Sequence, residues 1–216
     1  VGAQAVQLVE DIGARQQELL HRHDDDGLRR AVDGGSGDRA GAGVARGDRV
    51  VMLLGRQIAW WEVLTACLRM GAVASPGTAQ LSAKDLAYRI NAAGATCVVT
   101  DTANAAKVDA VFGECPSLKA RVLVDGSREG WIDYATAVRA ASEAFVTVDS
   151  AAQDEALCYF TSGTTGQPKM CMHAHAYGLA HQTTGRDCLA LKPSDLHWNC
   201  SNSGWAKAAW GSYFGP

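Results

Sequence analysis

The sequence lacks a dominant charge sign. Its 20 lysines and arginines face 23 aspartates and glutamates. A nucleic-acid surface would show as clustered basic residues and a basic pI, so no nucleic-acid partner is expected. No apolar run reaches about 18 residues, so no membrane span is expected. The N-terminus lacks the basic-then-apolar pattern of a secretory signal, which makes cytoplasm the default location. There is no CxxC pair. The seven cysteines are odd in number and scattered. Cys67, Cys97, Cys158 and Cys200 lie in apolar or strand-like runs and read as reduced, buried thiols. What is abundant is apolar content, 47% of 216 residues. That is enough for a real core, as one large domain or two small ones.

Val1 to Arg22 reads as one amphipathic helix, with Val6, Val9, Ile12, Leu19 and Leu20 on one side. His23 to Gly43 then breaks the pattern. It is rich in Asp, Gly and Arg and reads as a disordered loop. Gly34-Gly35-Ser36-Gly37 within it follows no strand and opens no helix, so a dinucleotide reading is set aside. Order returns at Val44. Val50 to Leu54 is a strand. Gln57 to Met70 is a helix with Trp60, Trp61, Leu64 and Leu68 inward, closed by Gly71. Ala72 to Ser75 is the next strand. Ser82 is an N-cap with Asp85 as its acidic capping-box partner, and Leu86, Ile90 and Ala93 line one face of a helix that ends at Gly94. Thr96 to Thr100 and Arg121 to Val124 are strands. A helix lies between them at Val108, Val111 and Phe112, and another runs from Ile132 to Phe145. Strand, helix and strand in this spacing make βαβ units. The expected fold class is α/β, with a largely parallel sheet flanked by helices.

Leu157 to Phe160 is a short apolar strand. It runs into Thr161-Ser162-Gly163-Thr164-Thr165-Gly166-Gln167-Pro168-Lys169. Gly163 and Gly166 can adopt positive φ at little steric cost. Successive N–H groups of such a loop can converge on an anion. Thr161, Ser162, Thr164 and Thr165 add hydroxyl donors. Pro168 stiffens the exit, and Lys169 supplies a positive charge where a polyphosphate would sit. This is not the Walker spacing, because a proline precedes the lysine and Met170 follows it. A bare SGTTG string would read as a solvated turn. The full string from Tyr159 to Lys169 is far more specific.

That string resembles the phosphate loop of the adenylate-forming superfamily, which holds acyl-CoA synthetases, luciferases and peptide-synthetase adenylation domains. The stretch ARGDRVVMLLGRQIAWWEVLTACLRMGAVASPGTAQLSAKDLAYRI, and ECPSL after it, resembles medium-chain acyl-CoA synthetases. The resemblance implies that a carboxylic acid is activated by ATP as acyl-AMP, with release of pyrophosphate, and passed to the thiol of CoA. It implies ATP, Mg2+ and CoA, with a medium-chain fatty acid favoured and an aryl acid second. It also assigns Thr161, Ser162, Gly163, Thr164, Thr165, Gly166, Gln167, Pro168 and Lys169 to the ATP phosphates. Lys169 is then the catalytic residue, stabilising charge on the leaving pyrophosphate.

His173-Ala174-His175 and His181 invite a metal reading, but no acidic or Cys ligand is expected beside the pair at metal spacing. The region after the loop is expected to be helical, where i and i+2 do not share a face. The resemblance instead assigns His173 to hydrogen-bonded support of the loop, and no metal site is expected. Leu196 to Cys200 reads as a strand, and Gly204 onward as a helix with Trp205, Ala209 and Trp210. Where the resembled family has Ser-Asp-Thr-Gly-Trp, this chain has Ser201-Asn202-Ser203-Gly204-Trp205. Asn202 removes a charge there. Trp205 carries over as a wall of the carboxylate-substrate site.

Set against a full family member, residues 1–216 are expected to be an incomplete N-terminal AMP-binding domain without the small C-terminal domain. The family's Tyr-Gly-x-Thr-Glu string and its ribose-binding aspartate have no match. Residues 23–43 depart from the family's strand and helix, as an insertion or a mis-framed stretch. The isolated chain is expected to bind nucleotide weakly and to form no acyl-CoA. Two other readings stand beside this one. One is a non-catalytic nucleotide-binding fragment or pseudogene product. The other is an amino-acid adenylation module, which needs an acidic residue to hold the α-amino group.

Overall fold

The computed structural model describes residues 42–140, 145–162 and 166–216. The expected helix at Val1 to Arg22 and nearly all of the irregular stretch at His23 to Gly43 lie outside the described residues, as do Gly163, Thr164 and Thr165.

The first strand, β1 (Arg49–Leu53), is the centre of the sheet. Its apolar run is continuous because both faces are covered. Val50 and Met52 pack into one core, and Val51 and Leu53 into the other. Helix α1 (Ile58–Met70) follows and buries Trp60, Val63, Leu64, Cys67 and Leu68, while Trp61 is half-buried. Gly71 closes α1 in the left-handed region at φ 72°. β2 (Val73–Gly77) runs two residues further than its apolar content suggests. Helix α2 (Ala83–Ala93) opens on the expected capping box. The Asp85 N–H donates to Ser82 Oγ at 3.2 Å, and the Ser82 N–H donates to Asp85 Oδ2 at 3.4 Å. β3 (Cys97–Thr100), α3 (Thr102–Val111) and β4 (Ala120–Leu123) continue the alternation.

Ile132 and Asp133 are not helical. They form β5 (Ile132–Asp133), which pairs with Val122 and Leu123 at the open edge of β4. Helix α4 (Tyr134–Ala140) starts after them, because Asp133 Oδ1 accepts the Thr136 N–H at 2.6 Å and so caps its first turn. Residues 141–144 are outside the described set, and Phe145 is not helical. β6 (Glu155–Thr161) and β7 (Lys169–Ala174) form a hairpin, and α5 (Ala176–Thr183) follows. A π turn at Thr184–Cys188 extends α5. The last element is the short helix α6 (Ala206–Ala209), which passes into a second π turn at Trp210–Phe214.

The seven strands lie in the order β5-β4-β3-β1-β2-β6-β7. All neighbours are parallel except the β6–β7 pair. α1, α4 and α6 contribute to the core on one face, and α2 and α3 to the core on the other. The α/β class and the largely parallel sheet are as the sequence implies.

Candidate functional site

Because β1, β2, β3 and β6 are parallel, their carboxyl ends share one edge of the sheet. The chain leaving β2 crosses back through α2 to β3, whereas the chain leaving β6 turns outward into β7. Ligands of open α/β sheets sit at carboxyl ends where connections diverge in this way. The loop after Thr161 stands at this point. Thr161 and Lys169 form the last pair of the hairpin, and Thr161 Oγ1 donates to the Lys169 carbonyl at 3.4 Å. Gly166 has φ 106°, a conformation that disfavours any side chain. Thr161, Ser162, Gly166, Gln167 and Lys169 are exposed, and Pro168 is half-buried. The described part of the site is therefore an open loop with hydroxyls at one stem and a solvent-facing lysine at the other. Its donors suit the tetrahedral oxygens of a phosphate chain.

The stem is held from α2. Tyr88 Oη donates to the Pro168 carbonyl at 2.9 Å, and the Tyr88 ring meets Phe160 edge-on with centroids 6.3 Å apart. Arg89 lies over Phe160, 4.9 Å from the ring centroid. Burial pulls its guanidinium below the ordinary arginine value, with Asp85 partly opposing this. Tyr88 was not a candidate from sequence. Its partner lies 80 residues away, and helical periodicity marks Leu86, Ile90 and Ala93 as inward.

The residues after the loop are a strand, not the expected helix. β7 pairs antiparallel with β6, Tyr159 opposite Cys171 and Leu157 opposite His173. The free edge of β6 takes the first chain segment that returns to it. This places His173 four residues along β7 from Lys169, about 13 Å at the usual strand rise. His173 is packed between the rings of Tyr159 and Tyr177, at 5.9 and 4.7 Å. Its Nε2 is 3.6 Å from Cys171 Sγ, so a cysteine does stand beside it, contrary to expectation. Its described contacts lie at the base of the hairpin, and the hydrogen-bonded support of the loop is not among them. The ring column continues through His181, which stacks on Trp210 at 5.6 Å and 9°. Burial lowers the pKa of His173 and of His181, and raises that of Tyr177 to about 12. Among the described residues no group of three His, Cys, Asp or Glu side chains is placed to hold a metal ion.

The block at residues 196–205 is also not a strand. Leu196 and Trp198 are exposed, and so is Cys200. Polar side chains satisfy the backbone in place of a ladder. Asn199 Nδ2 donates to the Lys207 carbonyl at 2.9 Å, and Asn199 Oδ1 accepts the Ser201 N–H at 2.8 Å. Asn202 Oδ1 accepts the Gly204 N–H at 2.9 Å, a bond an aspartate could make equally well. Ser203 is buried and donates to the Leu54 carbonyl at 2.6 Å. A Cβ on Gly204 would overlap the backbone of Gly77 and Thr78, so only glycine fits. These contacts bring the turn onto the carboxyl ends of β1 and β2, the same edge as the loop. Trp205 starts α6 there, 63% exposed. Ser203 carries no signal in the sequence, since its partner is 149 residues away.

The family model described as AMP-binding enzyme matches residues 39–214. Acyl-coenzyme A synthetase ACSM5, mitochondrial, of Mus musculus is 47% identical over 170 residues, covering 78% of this chain and 29% of that protein. Acyl-coenzyme A synthetase ACSM3, mitochondrial, of Homo sapiens is 43% identical over 173 residues, covering 79% of this chain and 30% of that protein. The chain thus spans less than a third of the length of these relatives. The crystal structure of Brucella canis acyl-CoA synthetase superposes with a TM-score of 0.77 at 27% identity, covering 89% of this chain and 34% of that one. The fold is also that of the anthranilate CoA ligase AuaEII in complex with anthranoyl-AMP, with a TM-score of 0.81 at 22% identity, covering 89% of this chain and 37% of that one. A parallel sheet with a Gly/Ser/Thr loop at the end of β6, matched over this extent, makes the chain a member of the AMP-binding enzyme family.

Proposed function

We propose that the loop from Thr161 to Lys169 grips the phosphates of ATP in an ATP-dependent acyl-CoA synthetase. Residues 1–216 supply an incomplete N-terminal AMP-binding domain of that enzyme. The observation that carries this reading is the β6–β7 hairpin, whose loop opens at the ligand-binding edge of the sheet and ends in an exposed lysine. A carboxylate oxygen attacks the α-phosphorus, acyl-AMP forms, and pyrophosphate leaves. The CoA thiol then attacks the acyl carbonyl and AMP departs. Charge builds on the pyrophosphate as its bond breaks. Lys169 and the donors of Ser162, Gly163, Thr164, Thr165, Gly166 and Gln167 meet that charge. Pro168 fixes the exit.

ATP suits the loop. Magnesium would enter with the ATP phosphates and neutralise part of their charge. Medium-chain fatty acids are the favoured substrates and aryl acids the second, with Trp205 as one wall of the acyl site. The curated relatives are named as acyl-coenzyme A synthetases, which supports the class of reaction. Their names also read mitochondrial. The free thiols of this chain suit a reducing compartment, and fractionation of the source cells decides between mitochondrion and cytoplasm.

The test is ATP–pyrophosphate exchange by the complete protein with a panel of fatty, aryl and amino acids. Fastest exchange with medium-chain acids supports the proposal. Exchange with amino acids alone overturns it. The 216-residue chain is expected to bind nucleotide and to form no thioester. Robust acyl-CoA synthesis by it would contradict the assignment as an incomplete domain.

A further inference from the structure

The loop exit has an anchor outside the loop. Pro168 has no N–H, so its carbonyl is its only backbone hydrogen-bonding group. That carbonyl accepts from Tyr88 Oη at 2.9 Å. The next carbonyl, of Lys169, accepts from Thr161 Oγ1 at 3.4 Å. The peptide between Pro168 and Lys169 is planar, so holding the Pro168 oxygen also sets the direction of the Lys169 N–H. Tyr88 is itself held. It sits mid-way along α2, between the buried Leu86 and Ile90 and downstream of the Ser82–Asp85 cap. Its ring rests edge-on against Phe160, and Arg89 stacks over the same ring at 4.9 Å. The helix that packs under β1 and β3 therefore reaches the strand stem and the loop exit at once.

We propose that Tyr88 is a positioning residue for the phosphate loop: through the Pro168 carbonyl it fixes the exit so that Lys169 faces the β- and γ-phosphates of a bound nucleoside triphosphate. This rests on the phosphate-loop reading above. Tyr88 touches no reacting atom and acts through the peptide that precedes Lys169.

The experiment compares the chain and its Tyr88→Phe variant in titrations with Mg·ATP and with AMP, alongside amide exchange at Gln167 and Lys169 and thermal melting. Loss of one hydrogen bond predicts roughly three- to tenfold weaker Mg·ATP binding. AMP affinity should not change, because AMP lacks the two phosphates that Lys169 faces. The Lys169 amide should exchange faster in Tyr88→Phe. A merely structural Tyr88 would weaken both nucleotides together, and that result overturns the proposal, as does unchanged Mg·ATP binding; the melting curve checks that the variant is folded. If the unmutated chain binds neither nucleotide, the phosphate-loop reading fails on its own. The exchange data then decide the anchor: faster exchange at Lys169 in the variant supports it, and unchanged exchange overturns it.

Discussion

Lys169 stands at the end of a loop whose stems are set by hydroxyls, and neighbouring residues can be tested one at a time. Ser203 donates to the Leu54 carbonyl from a buried position. Ser203→Ala leaves that carbonyl without its donor and should cost about 1–3 kcal/mol. A lower urea midpoint at unchanged slope would show it, and an unchanged midpoint would mean water replaces the hydroxyl. The thiols make a second residue-scale test. Cys188 and Cys200 are exposed, while burial pushes the Cys67 thiol up to about 12 and raises that of Cys97. Under native conditions Ellman's reagent should label Cys188 and Cys200 first and leave Cys67 and Cys97 unlabelled. Early labelling of Cys67 would contradict a closed core under α1.

At the scale of elements, α2 links the core to the loop. Ser82→Ala removes one half of its capping box and should cost about 1 kcal/mol in equilibrium unfolding. Leu64→Ala in α1 opens a cavity in the fully buried core and should cost about 2–5 kcal/mol. A loss near zero there would mean α1 does not pack as described. The capping box and the glycine stops were legible because they are local: Ser82, Asp85, Gly71 and Gly94 each act within one turn. β7 was not. Lys169 to Ala174 alternates weakly, and only the open edge of β6 makes it a strand. The opposite error occurred at Leu196 to Cys200. Apolar content suggests a strand, but Asn199 and Asn202 take the backbone into turns. In the site, the loop was legible as a string of small and hydroxylic residues. Tyr88 and Ser203 were not, because their partners lie 80 and 149 residues away.

For the molecule as a whole, protonation should report on the base of the β6–β7 hairpin. Burial lowers the pKa of His173, His175 and His181 from an ordinary 6.5, and at His175 the Asp154 carboxylate partly opposes it. Below that value the unfolded chain takes up protons that the folded chain refuses. Stability from these residues is therefore complete above about pH 6.5 and falls as pH drops through their lower folded values. Asp85, held low first by the Ser82 hydroxyl, and Asp133, held low first by the Thr136 hydroxyl, extend the loss below the ordinary carboxylate value of 3.8. The thermal midpoint should drop between pH 7 and pH 5, and a flat profile would contradict lowered pKa values at these half-buried imidazoles.

The measurement that bears most directly on the phosphate-loop assignment is the affinity of the chain and of its Lys169→Ala variant for Mg·ATP. A hydrogen bond to a charged group is worth about 1.5–3 kcal/mol, so the variant should bind about ten- to a hundredfold more weakly. Equal binding by the two proteins would mean that Lys169 does not touch the phosphates, and the assignment of the loop would fall with it.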